Sequence, residues 1–526
     1  MKNKILMSFI ALIMVFTACQ KSDFASSYTD PSKIAQTTVE KQFTGFMNSN
    51  KDWVLPAYTN YFVVLRITLN RYNQAVGWAN GSRQYVPGAG AVNDRWSNFY
   101  TFLAQYRELE KVNSQLSADD QADRRIYMLA AAMYFYDHTQ RVVDLHGDIP
   151  WSAAGKLSTN GGDYENSFAK YDSAESIYTK MLDDLKAFAD ELNSMTIKAA
   201  ILTGFKTQDI LNRGDITLWK RYCNSLRLRM LTRVSGVSAF QSRASTEIAA
   251  ILADATKYPI VTKNTENIQI NVFDIAANGL NANGFRTGLE DWNGNIAGKA
   301  MIDHMKKGAD PRLRAIFEPG TKDSAKVYNG LDPLLNENTQ VTAIADGKLS
   351  IYNRSTLTRN QYFPGVVINA AEVSFILAEY YSKAGKDAEA KTAYENGIKQ
   401  SIEFYYNVRA LSNDNTAGAL TARTPAEETA YIGSADVNWA TNSDKIKLIA
   451  TQKWLHFNVI QAYDSWAEIR RLDLPKFDFQ VDNTDPQTLP PARWLLPASE
   501  GIYNEKNYST VKAKDNLTTK IFWDTK

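Results

Sequence analysis

Cysteine is almost absent: two residues in 526 exclude a disulfide framework and leave no pair for a zinc site. Cys19 lies near the start of the chain, and Cys223 lies among Trp219, Tyr222 and Leu226 on an apolar helix face, the setting of a buried, inert thiol. Histidine is scarce too. The four residues, His138, His146, His304 and His456, include no pair at HExxH spacing. The G-x-S-x-G nucleophile elbow is missing, and the Gly-rich stretch 86–91 lacks the lysine and strand–turn–helix context of a phosphate loop. A glycosidase needs only two carboxylates roughly 5–10 Å apart; 57 acids could supply them, but no pair is singled out. The expectation is a protein that is not an enzyme, with no metal and no cofactor. Past the leader no apolar run approaches the about 18 residues of a membrane-spanning helix. Charge of one sign is lacking as well: the formal +2 falls to about zero once Lys2 and Lys4 are removed with residues 1–18, which argues against nucleic acid as a partner.

What is present begins with a leader. Lys2 and Lys4 precede an apolar core, Ile5–Phe16, and Phe16-Thr17-Ala18-Cys19 is a lipoprotein processing site. Residues 1–18 are expected to be a lipoprotein signal peptide, with Cys19 acylated and holding the protein to a membrane by its lipid. Residues 19–50, polar and Ser/Thr/Gln-rich, read as a tether, and 51–526 as a single domain.

Helical periodicity dominates that domain. Helices are expected at Trp53–Tyr72 (Tyr58, Phe62, Leu65 and Leu69 on one stripe), Asp94–Leu116, 124–146, 172–192 and Asp215–Val234. The segment 124–151 is apolar on more than one side, so it needs neighbours on more than one side; it stops at Gly147, and Pro150 prevents resumption. Asp215–Val234 also carries Lys220, Arg221, Arg227, Arg229 and Arg233, a solvated face or intramolecular pairing, with an anion site as the alternative. Between 254 and 369 the period fails and Asn and Gly become dense: an irregular insertion of short strands and loops, with Ile296–Lys307 its only expected helix. From Ala370, Leu377-Ala378, Tyr381, Gly385, Ala390, Tyr394 and Gly397 match the small/large spacing of a tetratricopeptide repeat, with Ile402 where proline is usual. A single such repeat is unstable alone. The pairs 94–116 with 124–146, 172–192 with 215–234 and 444–459 with 461–472 are therefore expected to stack with it. The fold class is mainly α: a tetratricopeptide-like scaffold of helical hairpins (about 94–235 and 370–475) bearing an irregular loop and short-strand insertion (about 254–369, with loop 73–93).

Binding chemistry concentrates in the irregular parts. Trp78, Asn80, Arg83 and Tyr85 sit within eight residues on a Gly-rich loop. An aromatic face, an amide and a guanidinium together suit a neutral polyol, whose C–H face stacks while donors take its hydroxyls. Trp292 and Asn293 repeat that composition, as does Tyr352 beside Asn353. The alternative is that these aromatics staple loops to the scaffold.

Several segments together resemble the SusD/RagB family of nutrient-binding outer-membrane lipoproteins, in its SusD-like branch. They are GDIPW at 147–151, RYCNSLRLRMLTRVS at 221–235, DPRL at 310–313, QKWLHFNVIQAYDSWAEIRRLDLPK at 452–476, RWLLPASEGIYNEKN at 493–507 and Phe522-Trp523. Asp464 stands where the family usually has Glu before Trp466. The resemblance implies a lipoprotein on the outer membrane, facing the cell exterior. It would bind oligosaccharides and sit as a lid on a SusC-like TonB-dependent transporter, its tetratricopeptide face against the barrel and its ligand site in the irregular part. A peptide-binding homologue in the same role, or a lipoprotein glycosidase, are the alternatives.

Overall fold

The computed structural model describes residues 37–275 and 279–526. The leader and Cys19 lie outside the described residues.

The fold begins earlier than residue 51. Val39–Ser49 is an α-helix capped by Thr38, whose hydroxyl accepts from Lys41 N, and it buries Val39, Phe43, Phe46 and Met47. Phe46 stacks on Phe102 with centroids 4.5 Å apart and planes 13° from parallel. Polar composition drew the tether boundary too late; an apolar spacing of four, three and one puts all four side chains on one face, and they belong to the core.

The Arg125–His146 helix is enclosed mainly by other helices, with the chain at 493–495 and Trp523 closing its C-terminal end. From Ile126 to His146 every residue is buried, the apolar ones by packing and Asp137, Arg141 and Asp144 in ion pairs. It packs against Ala89–Ser114 and Val39–Ser49 on one side and Ala174–Ser194, Ile216–Val234 and Ala462–Leu472 on others. Ser173 and Asp215 cap their helices through their side-chain oxygens. Ala370–Lys383 and Asp387–Ala410 form the expected hairpin. Ala378, Ala390 and Tyr394 are fully buried in it. A Cβ on Gly397 would lie 2.5 Å from the Phe375 ring, so the repeat's small position is what lets its two helices touch. Lys445–Phe457 and Ala462–Leu472 pair behind it.

The basic run on Ile216–Val234 is paired inside the protein. Arg221 meets Glu266 at 2.9 Å, Arg227 meets Glu247 at 3.1 Å, Arg229 meets Glu372 at 2.5 Å and Asp137 at 3.3 Å, and Arg233 meets Asp144 at 2.7 Å and Glu468 at 3.2 Å. Arg471 adds a bidentate pair to Glu379, both contacts 2.7 Å. Removing one partner of such a buried pair leaves an uncompensated charge and costs about 3–5 kcal/mol. Cys223 is buried on the same helix, its sulfur 3.2 Å from Leu185 O, and burial pushes its thiol up to about 12.

Two expectations need correction. Trp53–Tyr72 is not one helix: a 3₁₀ turn at Lys51–Trp53, a π-helix at Thr59–Leu65 and a short α-helix at Leu69–Tyr72 replace it. Residues 254–369 hold more helix than Ile296–Lys307 alone, with Gly284–Glu290, Lys299–Gly308, Leu313–Ile316 and Glu337–Ala345. These helices are short, so few turns exist for a period to show. The strands there are short and antiparallel: Ile268–Ile270 with Gly365–Ile368, and Phe317–Glu318 with Ile351–Tyr352. Ile268, Ile270 and Ile368 join the core of the first helices, while Phe317, Tyr352 and Val366 share a core with Tyr61, Phe285, Trp454, Trp466 and Trp494, which fixes the irregular part against the last helical pair.

Candidate functional site

The π-helix is the element from which the site grows. Its widened turn is closed by Arg66 N donating to Tyr61 O at 3.0 Å, a feature that recurs at functional positions. Tyr58, Phe62 and Arg66 recur every fourth residue along it. Tyr58 and Phe62 stack with centroids 4.7 Å apart and planes 15° from parallel. The Arg66 guanidinium lies 3.6 Å over Phe62 and 5.0 Å from the Trp78 ring centre. The result is a ladder of Tyr58, Phe62, Arg66 and Trp78 with 44% of Tyr58 exposed and Phe62 and Trp78 half-buried. The Gly284–Glu290 helix backs it: a Cβ on Gly284 would lie 2.6 Å from Tyr58 N, and one on Gly288 2.8 Å from Tyr61 Cβ.

Arg66 also recruits the second tryptophan. Its Nη1 donates to Asp291 O at 2.8 Å, holding the next residue, Trp292, at the ladder's edge. Burial lowers the Arg66 pKa, with Tyr58 and Asp291 acting against that shift. Trp292 and Asn293 both adopt left-handed backbone, φ 58° and 57°, which costs about 1–2 kcal/mol per residue for an L side chain. That backbone turns the indole outward: Trp292 is 78% exposed, the most exposed large hydrophobic side chain among the described residues. Strain spent on exposing an apolar ring to water marks a surface kept for contact.

Beyond Tyr58 lies a cleft of about 700 Å³, lined among others by Lys51, Asp52, Trp53, Asp94, Asn98 and Asn281, within the size range of ligand sites. Arg95 stiffens its floor, buried 4.9 Å from the Trp53 ring centre and 5.4 Å from that of Tyr463. Both faces of Phe62 are taken, one by Tyr58 and one by Arg66, so beside the polar cleft the ladder offers a ligand the outer face of Tyr58, the ring edges and the exposed Trp292 indole. Among the described residues, no group of three or more His, Cys, Asp and Glu side chains converges as metal ligands, and no helix is long and apolar enough to cross a membrane.

The seven residues singled out by composition separate in space. Arg66 brings Trp78, Trp292 and the exposed Asn293 together. Arg83 is exposed and points to Asp485, 3.1 Å away. Asn80 is buried and committed: its Nδ2 donates to Pro333 O and Leu335 O at 2.9 and 3.0 Å, and its Oδ1 accepts from Arg71 at 3.2 Å. Tyr85 and Tyr352 are also buried, their hydroxyls donating to Gln480 O at 2.6 Å and Ala75 O at 2.9 Å, and Tyr352 packs on Phe317 at 4.6 Å. Asn80, Tyr85 and Tyr352 are therefore staples with no face left for a ligand. Tyr58, Phe62 and Arg66 were missed because a stripe at every fourth position reads as core; the cation ending the aromatic series was the available signal.

A family model described as starch-binding and associating with the outer membrane, the SusD-like model, matches residues 29–497. Among curated proteins none matches the sequence. Solved structures share the fold. A chitin-binding protein is 21% identical over 93% of this chain and 99% of its own, with TM-score 0.71. A SusD-like protein from Bacteroidetes is 20% identical over 93% and 100%, with TM-score 0.71. A SusD homologue from Bacteroides fragilis is 18% identical over 93% and 100%, with TM-score 0.72. At these identities the likeness establishes the architecture alone.

Proposed function

The chain belongs to the SusD-like family, and on that premise we propose that it is a cell-surface lipoprotein that binds neutral oligosaccharides and passes them to a TonB-dependent outer-membrane transporter. The observation that carries the proposal is the ladder of Tyr58, Phe62, Arg66 and Trp78 with Trp292 thrown outward beside it. The outer face of Tyr58 and the exposed Trp292 indole suit rings that carry C–H on one side and hydroxyls at the rim. The arginine inside it already has its charge engaged by Asp291 O and two aromatic faces, so it orders the platform rather than serving as an anion receptor. The ligand is held by aromatic contacts and hydrogen bonds, and among the described residues no cluster of metal-ligating side chains adjoins them.

Attachment through acylated Cys19 and a transporter beneath the helical hairpins complete the proposal. The leader of residues 1–18 and the matched family support them. Palmitate labelling in cells, lost in Cys19→Ala, tests the anchor, and co-purification from the outer membrane tests the partner. Isothermal titration against a panel of glycans tests the site. Trp78→Ala and Phe62→Ala should each weaken binding about fivefold or more, on the scale of the about 1–3 kcal/mol that a nucleobase stacked on an aromatic side chain is worth. Unchanged affinity in both variants refutes the assignment. Binding confined to a peptide library would favour the peptide-capturing alternative, and release of product from the panel the glycosidase.

A further inference from the structure

The Ala89–Ser114 helix forms more than one wall. Asp94, Ser97 and Asn98 line the cleft beside Tyr58, while Trp96, Ser97 and Tyr100 line a second depression of about 340 Å³ on the adjoining face. Ser97, exposed and small, is common to both. The two depressions open on different sides of the helix and meet at the exposed ridge that Ser97 occupies. From Asp94 to Tyr100 the helix advances about 9 Å at 1.5 Å per residue, so a path over that ridge outruns the first cleft by a substantial step.

The far end is aromatic again. Phe168 is 42% exposed and Tyr503 68%, and both line the second depression. Tyr164, 60% exposed, stands edge-on to Phe168 at 5.1 Å. Rings this exposed are not core. They are nevertheless held in place. Asn504 Nδ2 donates to Ala169 O at 3.0 Å, Asn507 Nδ2 to Phe168 O at 3.2 Å, and the Tyr171 hydroxyl to Glu500 at 2.6 Å. Below them the Tyr100 hydroxyl donates to Pro150 O at 2.7 Å, and Trp96 is buried. Ser167, Ser499, Glu500 and Asn504 supply polar groups around the rings.

We propose that this path continues the ligand site: a linear neutral glycan resting on the outer face of Tyr58 and the rim of the Phe62–Trp78 ladder runs through the cleft, passes over Ser97, and lays its far end on Phe168 and Tyr503. The inference rests on the glycan-binding function proposed above and specifies its substrate as a chain rather than a mono- or disaccharide. Charge along the path favours neutrality. Among the described residues lining the two depressions, Asp52, Asp94 and Glu500 meet a single cation, Lys51, itself 3.4 Å from Asp52, so a polyanionic chain would meet net repulsion there.

Isothermal titration of the whole chain with malto-, cello-, xylo- and N-acetylchito-oligosaccharides, each as trimer and hexamer, tests it. The unaltered protein should bind one hexamer more tightly than its trimer. Tyr503→Ala should lower hexamer affinity about five- to tenfold, a factor of ten being about 1.4 kcal/mol, and leave the trimer unchanged. Ser97→Trp, which blocks the junction from an exposed helix position, should lower hexamer affinity at least as much, while Trp78→Ala weakens both lengths. Equal trimer and hexamer affinities, or a hexamer indifferent to Tyr503→Ala, would overturn the extended groove and leave the first site standing. Loss of co-purification with an outer-membrane protein in Tyr503→Ala, with glycan affinity intact, would make the patch a protein interface and overturn it too. No binding by any oligomer would sink both proposals together.

Discussion

Lowering the pH from 7.5 to 5 should weaken the fold through its histidines, each of which has a pKa below the ordinary value with burial as the first cause. His146 and His456 drop from 6.5 to about 3. The surroundings of His456 show why. Its Nε2 donates to Asn369 Oδ1 at 2.8 Å, and its Nδ1 accepts from Ser401 Oγ at 2.9 Å. That oxygen is in turn held by Arg312 Nη1 at 2.9 Å, so the network fixes one neutral tautomer and the Arg312 charge opposes a second proton. A group whose folded pKa is depressed binds its proton only after unfolding. Its full stability is therefore present above pH 6.5 and is lost as pH falls toward 3. At pH 5 each ring costs about 2 kcal/mol, at 1.36 kcal/mol per pKa unit, and the two together about 4. Burial pushes the Asp144 and Asp209 carboxyls upward, which acts in the opposite sense and makes that figure a ceiling for this pair. Glu379 and Glu468, which Arg471 holds below the usual carboxylate range against desolvation, lose their contribution only below about pH 4.5 and stay out of the window. Unfolding entropy for a chain of this length is about 1 kcal/mol per degree, so the midpoint should fall by about 4 °C. Scanning calorimetry at pH 7.5, 6.5, 5.5 and 5 reads it directly. His456→Gln should recover about 2 °C of the fall, its own ring's share, and a midpoint flat or rising toward pH 5 refutes the reasoning.

Trp292→Gly should relieve one left-handed residue, worth about 1–2 kcal/mol, against a glycine entropy cost of about 0.5–1 kcal/mol; thermal denaturation should show equal or higher stability while titration shows weaker glycan binding. Tyr352→Phe should do the reverse, losing about 1 kcal/mol with its bond to Ala75 O and leaving glycan affinity untouched. Gly397→Ala drives a methyl into the Phe375 ring and should cost about 1–3 kcal/mol in urea unfolding. Asp464 sits 3.7 Å from Arg141 and 3.9 Å from Arg229, with one buried carboxylate oxygen lacking a hydrogen bond. The longer Asp464→Glu side chain should close that gap and raise stability by about 1 kcal/mol, and a lower calorimetric midpoint would count against it.

The helical frame was legible because a period of 3.6 is written over many turns. Arg125–His146 and the hairpin from Ala370 declare themselves by where their apolar and small residues recur. Val39–Ser49 was missed because three turns in a polar neighbourhood give a weak pattern. The binding residues were legible only by type. Trp78 and Tyr85 sit seven apart on one loop and read alike, yet one ring half faces water and the other is buried against Phe479. That difference is set by Arg66 and Gln480, distant in sequence from one or both of them, which no local pattern encodes. Tyr58 and Phe62 show the converse error, since ring-on-ring stacking at every fourth residue looks the same in sequence whether it faces a core or a ligand.

Arg229 binds Asp137 of the Arg125–His146 helix and Glu372 of the Ala370–Lys383 helix, contacts that bridge 92 and 143 positions of chain. Stacked repeats that touch only their neighbours can melt from an end, one unit at a time. Here, opening the last hairpins takes Glu372 from a buried guanidinium in the first half and leaves it Asp137 alone, a cost that couples the two halves. Amide exchange in the protected helices should accordingly proceed through a single global opening rather than in steps, and a pull on the hairpin face would meet a rigid block instead of an unravelling spring.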